Sequence, residues 1–440
     1  MELKPSFELM PLQRCRCDWL ISRLQNHHVA CDFSEMGTGK SPVAITVAAE
    51  LGAELIVYVG PAIMVRQFAK EIARWDRRGL PITEILKTKD ELPARGWVLM
   101  SADILTRKTA AGHFEDRRFD MVLGDEVQLF KSPKAKRSRA FYSLVDRANR
   151  ALLMSGTPAP NHYGELWPIM RVCGDPKRVG SLASFTRRYC VTRNTPWGLQ
   201  VVKNKNGHEL KPQIAEFSVR QKLAEVWADD PGRTVQTISW DARTVADELK
   251  ELEASIGQEI SIEHLVEHPE LYAGSIDGEV SLASYRRMLG ELKAPLAASA
   301  VKTHLNSEAG PIVVFFYHKA VGQHLLDTLS EFNPAFVSGS TSFADRASAI
   351  DRFQDLRETD LFLAQISTMN AGVTLTSARH VMIVEPDWTP AVNVQAIQRC
   401  HRIGVTGHVL AQLFCVDGSL DAAIVATVER KTRELMEVLR

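Results

Sequence analysis

Two glycines, a lysine and a serine near the start of the chain have the spacing of a phosphate-binding loop. They follow an apolar segment, Val29–Phe33, which suits a strand that leads into such a loop. The glycines would let backbone N–H groups turn inward around phosphates, Lys40 would reach the outer phosphates, and Ser41 could bind Mg²⁺. Ser34 stands where the full pattern has glycine, so a chance match in an ordinary loop is the alternative. The segment reads Glu35, Met36, Gly37, Thr38, Gly39, Lys40 and Ser41.

Two further polar clusters come directly after predicted apolar strands. Asp125 and Glu126 form an acidic pair in which the Asp could hold Mg²⁺ through water and the Glu could orient or deprotonate an attacking water. Ser155-Gly156-Thr157 could link the metal site to a bound strand. A solvated acidic turn and an ordinary polar turn are the alternatives.

An arginine pair lies far along the chain, at Arg399 and Arg402. Phosphoryl transfer needs positive charge on the γ-phosphate in its transition state. If residues 395–402 are helical, Gln395 and both arginines share one face, because their spacings are four and three. A solvated basic helix face is the alternative.

Short buried runs alternate with amphipathic stretches, which predicts two sets of parallel strands and hence two α/β lobes. We expect lobes at residues 1–235 and 296–440, with a helical insertion after Ser155-Gly156-Thr157 and a helical protrusion and linker at 236–295. Within the latter, residues 242–272 are predicted to form exposed helices, and the linker is placed near 277–295. The predicted strands are Leu55–Val59, Trp97–Met100, Met121–Leu123, Ala151–Met154, Ile312–Phe316, Leu361–Ala364, Val381–Val384 and Val409–Phe414.

Composition restricts the class of protein. The 440 residues are 45% hydrophobic, and 53 basic side chains balance 53 acidic ones, so a polyanion would have to bind to a local basic stripe. The seven cysteines lack paired metal-ligand spacing, which argues against a zinc module and favours a reducing compartment. No secretory signal or apolar run of about 20 residues is present. We therefore expect no membrane partner.

The order of these motifs resembles that of the Swi/Snf-type ATPases of helicase superfamily two. The phosphate loop, acidic pair, Ser-Gly-Thr and residues 395–404 resemble motifs I, II, III and VI. The family's glutamine motif is similar to residues 9–13, and its motif Ia to residues 60–61 with Trp75. Motif IV and the following Gly-Ser-Thr element are similar to residues 315–319 and 338–341. Motif V is similar to residues 371–376, and the Trp-Asn-Pro element to residues 387–390. Residues 188–190 and 206–210 look most like the HepA-related annealing helicases. The resemblance covers nearly the whole chain.

This resemblance implies two RecA-like lobes, ATP and Mg²⁺ as cofactors, and a monomeric translocase on double-stranded or branched DNA that rewinds or remodels duplexes. A strand-separating DNA or RNA helicase is one alternative, and an ATP-switched nucleic-acid clamp is another. The expected compartment is the cytoplasm of a bacterium or of a phage host, or the nucleus for a eukaryotic chain.

The resemblance also assigns roles to residues. Gln128 replaces the usual histidine after the acidic pair, so it must make the coupling hydrogen bonds, and Thr374 stands where many members have glycine. The catalytic residues are Lys40, Asp125, Glu126, Arg399 and Arg402, and the Mg²⁺ ligands are Ser41 and, through water, Asp125. Nucleotide binding falls to Gln13, Glu35, Met36, Gly37, Thr38, Gly39, Lys40, Ser41 and Gln395, and coupling to Gln128, Ser155, Gly156 and Thr157. The DNA-binding candidates are Ser101, Lys131, Lys319, Ser340, Gly372, Thr374 and Trp388.

Overall fold

The computed structural model divides the chain into two compact units. It describes residues 8–174, 176–195, 198–227, 229–240, 282–369, 373–387, 390–402, 404–416, 419 and 421. Described residues up to 192 and from 203 to 230 form the N-terminal unit. The described residues between 193 and 202 and between 231 and 421 form the C-terminal unit. No helix in the described residues is long and apolar enough to cross a membrane.

A seven-stranded parallel sheet organises the N-terminal unit. Its strands are β1 (Val29–Asp32), β2 (Leu55–Gly60), β3 (Ile82–Ile85), β4 (Gly96–Ser101), β5 (Phe119–Asp125) and β6 (Ala148–Met154), with β9 (Ser218–Val219) at one edge. The order is β3-β4-β2-β5-β6-β1-β9. Strands β7 (Cys190–Thr195) and β8 (Gly198–Asn204) form a separate two-stranded sheet. The central strands are buried on both faces, as parallel strands covered by helices must be.

Helices cover this sheet and connect its strands. One core cluster joins Leu20 and Leu24 of the first helix, Val43 and Val47 of the second, and Phe68 of the third to the strands. The helices are α1 (Pro11–Asn26), α2 (Lys40–Glu50), α3 (Ala62–Trp75), α4 (Ala102–Ala110), α5 (Lys136–Val145), α6 (Trp167–Cys173), α7 (Pro176–Val179), α8 (Leu182–Tyr189), α9 (Gly207–Ala215) and α10 (Leu223–Val226).

The C-terminal unit has a second parallel sheet, of six strands. Its strands are β10 (Arg233–Trp240), β11 (Ile312–Phe316), β12 (Ala335–Val337), β13 (Leu361–Gln365), β14 (His380–Ile383) and β15 (Val409–Val416), in the order β10-β15-β14-β11-β13-β12. Its helices are α11 (Leu282–Asn306), α12 (Lys319–Thr328), α13 (Phe343–Gln354) and α14 (Pro390–Ile397). Ala294, Ala297 and Val301 of α11 pack on the sheet in one core cluster.

The predicted α/β class with two parallel-sheet lobes is confirmed, and each of the eight predicted strands overlaps an observed one. The boundaries between the lobes differ from those expected. Strand β10 pairs with β15 along its whole length, so residues 233–240 belong to the C-terminal sheet. Helix α11 runs through Pro295 and packs on that sheet, where the sequence analysis placed a linker. Residues 242–272, predicted as exposed helices, lie outside the described residues.

Candidate nucleotide site

Three strand ends bring the first three motifs of the N-terminal unit together. In the sheet, β6 lies between β5 and β1. Met154 at the end of β6 is in register with Asp125 of β5 on one side and with Asp32 of β1 on the other. The acidic pair, the Ser-Gly-Thr turn and the phosphate loop therefore emerge side by side at the carboxyl edge of the sheet, where α/β proteins place their ligands.

The phosphate loop depends on its two glycines. Gly37 and Gly39 have φ angles of 81° and 79°, in the left-handed region that favours glycine. A Cβ on Gly39 would also lie 2.4 Å from Gln13 Nε2. Helix α2 begins at Lys40, so its unpaired N–H groups and positive dipole end face the loop. This arrangement can bind phosphate groups.

The Lys40 side chain is held by the loop itself. Its Nζ donates to the carbonyl oxygens of Ser34 at 2.9 Å and of Glu35 at 3.1 Å. Burial lowers the pKa of Lys40, and the carboxylates of Asp32, Glu126 and Asp125 oppose that shift. Because a phosphate oxygen carries charge that a carbonyl lacks, it would be a stronger acceptor for this ammonium.

Gln13, the residue of the glutamine motif, lies against the loop. Its Oε1 accepts from the Met10 N–H at 3.0 Å, and its Nε2 donates to the Thr38 carbonyl at 3.0 Å. The side chain is 5% exposed. Both ends of the Gln13 amide are therefore engaged by the protein, and its observed contact is with the loop backbone.

The segment after β9 supports the loop from its own side of the sheet. The Glu35 carboxylate accepts from the Leu223 N–H at 3.0 Å and lies 3.6 Å from an Arg220 nitrogen. The Ser34 hydroxyl accepts from the Gln221 N–H at 3.0 Å. Ser34, which replaces the first glycine of the full pattern, thus ties the loop to the edge of the sheet.

Asp125 is a buried carboxylate at the end of β5. It accepts hydrogen bonds from the Tyr58 hydroxyl at 2.8 Å and from the Glu126 N–H at 3.0 Å. Burial and the neighbouring Glu126 carboxylate raise the pKa of Asp125 to about 6, against the opposing effects of Tyr58 and Lys40. A bound cation would favour its ionised form.

A hydrogen-bond relay joins the acidic pair to the Ser-Gly-Thr turn. Gln128 Nε2 donates to Glu126 Oε2 at 2.6 Å, and the Ser155 hydroxyl donates to Gln128 Oε1 at 2.6 Å. The Thr157 N–H in turn donates to the Ser155 hydroxyl at 3.0 Å. A Cβ on Gly156 would lie 3.0 Å from Met36 Cγ, so the turn also packs on the phosphate loop. The four residues predicted to couple the motifs are in contact as a group.

The donor set at this edge fits magnesium. Ser41, in the first turn of α2, and Asp125 offer a hydroxyl and a carboxylate oxygen, which are ligands that Mg²⁺ prefers. Nucleotide phosphates and waters normally supply the remaining ligands, so few protein groups are needed. The described residues contain no group of three or more His, Cys, Asp or Glu that could hold a metal ion.

The predicted helical face carrying Gln395, Arg399 and Arg402 is wrong. Helix α14 ends at Ile397, after which the backbone tightens, with the N–H groups of Arg399 and Cys400 bonding three residues back. Gln395 is therefore helical and 5% exposed, whereas both arginines follow the helix end. The Leu375 N–H binds the Arg399 carbonyl at 2.8 Å, which joins the segment resembling motif VI to the one resembling motif V. Arg402 continues this junction, because its Nη1 donates to the Thr374 hydroxyl at 3.0 Å.

The DNA-binding candidates have different surroundings. Ser101 caps α4 by accepting from the Ile104 N–H at 3.2 Å, and Lys131 pairs with Glu165 at 2.6 Å. Lys319, the first residue of α12, is exposed, as is Ser340, whose hydroxyl lies 2.9 Å from that of Ser338. Gly372 and Trp388 lie outside the described residues.

The sequence analysis missed Arg16, Asp32 and Tyr58. Tyr58 looks like one more apolar residue of β2, yet its hydroxyl contacts Asp125. Arg16 is 1% exposed and lies 3.4 Å from Asp32 beneath the phosphate loop. The available signal was Asp32, a charged residue inside an otherwise apolar strand.

Two protein-family models match the chain in the regions that carry these motifs. The model of the SNF2-related domain matches residues 12–245, more than half of the chain. The chain belongs to the SNF2-related family. A second model, the helicase conserved C-terminal domain, matches residues 296–404. The Swi/Snf-type resemblance inferred from the motifs is thereby confirmed.

Curated relatives of this SNF2-related chain include a protein named as a DNA annealing helicase, in agreement with the expected subgroup. The SWI/SNF-related matrix-associated actin-dependent regulator of chromatin subfamily A-like protein 1 of Xenopus tropicalis is 26% identical over 443 residues, which cover 99% of this chain and 45% of that protein. The human DNA annealing helicase and endonuclease ZRANB3 is 26% identical over 447 residues, 97% of this chain and 40% of that protein. The chain thus spans less than half the length of these relatives.

Among solved structures, the Sulfolobus solfataricus SWI2/SNF2 ATPase core in complex with dsDNA is similar to the chain. Its sequence is 19% identical, with a TM-score of 0.47, and the similarity covers 100% of this chain and 94% of that one.

Proposed function

We propose that this SNF2-related chain is a DNA-dependent ATPase that translocates on double-stranded DNA, including branched or forked DNA, and remodels or reanneals it. The observation that carries the proposal is the shared sheet edge of the N-terminal unit, where the phosphate loop, the acidic pair and the Ser-Gly-Thr turn meet. Family membership and the name of one relative, a DNA annealing helicase and endonuclease, support DNA as the partner.

Each residue at this edge has a role in ATP hydrolysis. The N–H groups at the start of α2 and the Lys40 ammonium would bind the outer phosphates, while Ser41 and, through water, Asp125 would hold Mg²⁺. When bound, Mg²⁺ neutralises charge that develops on the phosphates. Glu126 orients the attacking water and accepts its proton. Arg399 and Arg402 are proposed, from their motif alone, to contribute positive charge in the transition state.

The hydrogen-bond relay links hydrolysis to DNA. Because Gln128 contacts both Glu126 and Ser155, a shift of the Ser-Gly-Thr turn on binding DNA would move the group that holds the attacking water. Ser101, Lys319, Ser340 and Thr374 remain proposed DNA contacts through hydroxyl and ammonium groups. We further propose a monomer that acts in the cytoplasm if bacterial or phage-encoded, and in the nucleus if eukaryotic.

ATP hydrolysis with duplex, forked and single-stranded DNA and with RNA tests this function. We expect the largest stimulation with duplex or forked DNA, and Lys40→Ala should abolish it, since that variant loses the ammonium that binds the outer phosphates. Lys70→Ala, an exposed lysine of α3, is the matched control and should hydrolyse normally.

Two further results distinguish the alternatives. Stimulation by single strands or RNA alone would favour a strand-separating helicase, and duplex-stimulated hydrolysis without displacement of a triplex third strand would favour an ATP-switched clamp. Equal rates with and without nucleic acid would contradict the proposed function.

A further inference from the structure

An arginine is buried directly behind the phosphate loop. Arg16 lies in the middle of α1 and is 1% exposed. Its Nη1 donates to the Thr38 hydroxyl at 3.0 Å and its Nη2 to the Thr38 carbonyl at 2.9 Å. Its Nε lies 3.4 Å from Asp32 Oδ2. Every one of these contacts is with the loop or with the strand that leads into it, although burying a guanidinium is costly unless it is well paired.

We propose that Arg16 is a positioning residue for phosphate binding, an inference that rests on the proposed ATP site. The Thr38 carbonyl accepts from both Arg16 and Gln13, which hold it against α1. In a planar trans peptide, the N–H of the next residue points away from that carbonyl. Arg16 therefore directs the Gly39 N–H away from α1, as a loop that wraps phosphates with its amides requires.

The same contacts reach Lys40 by two short routes. The Thr38 hydroxyl donates to the Glu35 carbonyl at 2.7 Å, and that carbonyl also accepts from Lys40 Nζ. On the other route, Asp32 Oδ1 accepts from the Ser34 N–H at 3.0 Å, and the Ser34 carbonyl accepts from Lys40 Nζ. Arg16 and Asp32 thus orient both carbonyls that hold the lysine.

Charge supports the same role. A lone buried carboxylate at Asp32 would repel phosphate groups bound in the loop, and the Arg16 guanidinium offsets it. The opposite charges of Arg16 and Asp32 offset each other beneath the loop, and their hydrogen bonds hold the loop backbone in position.

Nucleotide affinity measured beside turnover tests the proposal. In Arg16→Lys the positive charge remains, but a single ammonium cannot hold both Thr38 atoms in the guanidinium's planar geometry. We expect the Kd of a fluorescent ADP analogue and the KM for ATP to rise about tenfold, the effect of losing one good hydrogen bond to a charged group, with kcat within about threefold of wild type. Arg14→Lys is the matched control, because Arg14 lies on the same helix but pairs at the surface with Asp18 and Glu50.

A second pair of variants leaves the buried charges in place. Thr38→Val removes the hydroxyl that accepts from Arg16 and donates to Glu35, whereas Thr38→Ser keeps it. We expect the valine variant to bind the ADP analogue more weakly than the serine variant, because only serine keeps both hydroxyl contacts. If Arg16→Lys does not fold, this pair decides the question.

The outcomes separate the two proposals. A wild-type chain without DNA-stimulated hydrolysis would contradict the proposed function, while the ADP-analogue titration would still test the positioning role. Wild-type affinity in both Arg16→Lys and Thr38→Val would overturn the positioning role, and so would a loss of kcat at unchanged KM.

Discussion

Gln128 makes the two hydrogen bonds through which we propose that it takes the coupling role usually given to a histidine. Its amide has a donor and an acceptor, and both are used, toward Glu126 and Ser155 respectively. An amide does not titrate, whereas an imidazole changes charge between about pH 5 and pH 8. Gln128 itself therefore adds no pH dependence to the coupling step near neutrality.

Removal of the relay should uncouple hydrolysis from DNA. In Gln128→Leu both contacts disappear while the volume is kept, so Glu126 loses the group that orients it. We expect the DNA-stimulated kcat to fall by about tenfold or more, within the range for loss of a group that supports acid–base catalysis, with ADP-analogue affinity unchanged.

The control is the other end of the relay. Ser155→Ala should give a similar loss, and the double variant should be no worse than either single one, because residues that act through one network are not additive. Additive losses measured in the same ATPase assay would contradict a shared relay.

At the scale of elements, Glu385 fixes the start of the helix that carries Lys319. It follows β14 and accepts from the N–H groups of Tyr317 at 2.8 Å and His318 at 3.0 Å, and from His318 Nδ1 at 2.6 Å. Burial raises the pKa of Glu385, but the His318 hydrogen bonds outweigh burial, and the net pKa lies below its ordinary value. The ionised carboxylate therefore stabilises the junction of β11 and α12.

This shift predicts a pH-dependent loss of stability. A carboxyl group with a depressed folded-state pKa stabilises the fold above its ordinary pKa of about 4.3, and this contribution disappears as pH falls through the folded-state pKa. We expect Glu385→Gln to lower the free energy of unfolding at pH 7 by about 1.5–3 kcal/mol, as for a lost hydrogen bond to a charged group. Denaturant unfolding followed from pH 7 to pH 3 should show the difference from wild type shrinking below about pH 4.

The exposed pair of Glu331 with Lys302 supplies the control. The two side chains are 2.8 Å apart and both are exposed to solvent. Glu331→Gln should therefore change the free energy of unfolding little at any pH. A difference between Glu385→Gln and wild type that stays constant down to pH 3 would show that the charge of Glu385 is unimportant.

Elements differ in how far the sequence predicts them. Strands such as Ile312–Phe316 were predicted to the residue because a run of β-branched and aromatic side chains is buried on both faces. Strand β10 was missed because its exposed edge position gives it polar residues at Thr234 and Gln236, and its pairing with β15 spans a long stretch of chain. The end of α14 at Ile397 was missed because no glycine or proline marks it.

The sequence predicted the motif residues of the candidate site, but not the residues that hold those motifs in place. The phosphate loop, the acidic pair and Gln128 have recognisable types at fixed spacings. Arg16 has no local signal, because its partners Asp32 and Thr38 lie 16 and 22 residues away and only the packing of α1 on the loop joins them. Contacts of this kind follow from tertiary structure.

For the whole molecule, equal numbers of acidic and basic residues mean that the proposed DNA binding must depend on a few placed cations. Lys319 and Lys131, the two lysines proposed from the motifs as DNA contacts, have different surroundings. Lys319 is exposed at the start of α12. Lys131 is 29% exposed and pairs at 2.6 Å with Glu165, a carboxylate that is otherwise buried. Burial raises the pKa of Glu165, but Lys131 and nearby hydrogen bonds outweigh burial, so its net pKa is lowered.

The salt dependence of duplex binding should separate these two lysines. Each phosphate contact contributes about 0.9 to the slope of log affinity against log salt, so Lys319→Ala should reduce that slope by about one. Lys131→Met should leave the slope unchanged and instead destabilise the N-terminal unit by about 1.5–3 kcal/mol, because Glu165 loses its cation and keeps only the two hydrogen bonds from Asn161. Adding Glu165→Gln should recover much of that stability, since the double variant buries no charge. Fluorescence anisotropy with labelled duplex at several salt concentrations gives the slopes, and a reduced slope for Lys131→Met, or an unchanged one for Lys319→Ala, would contradict these assignments.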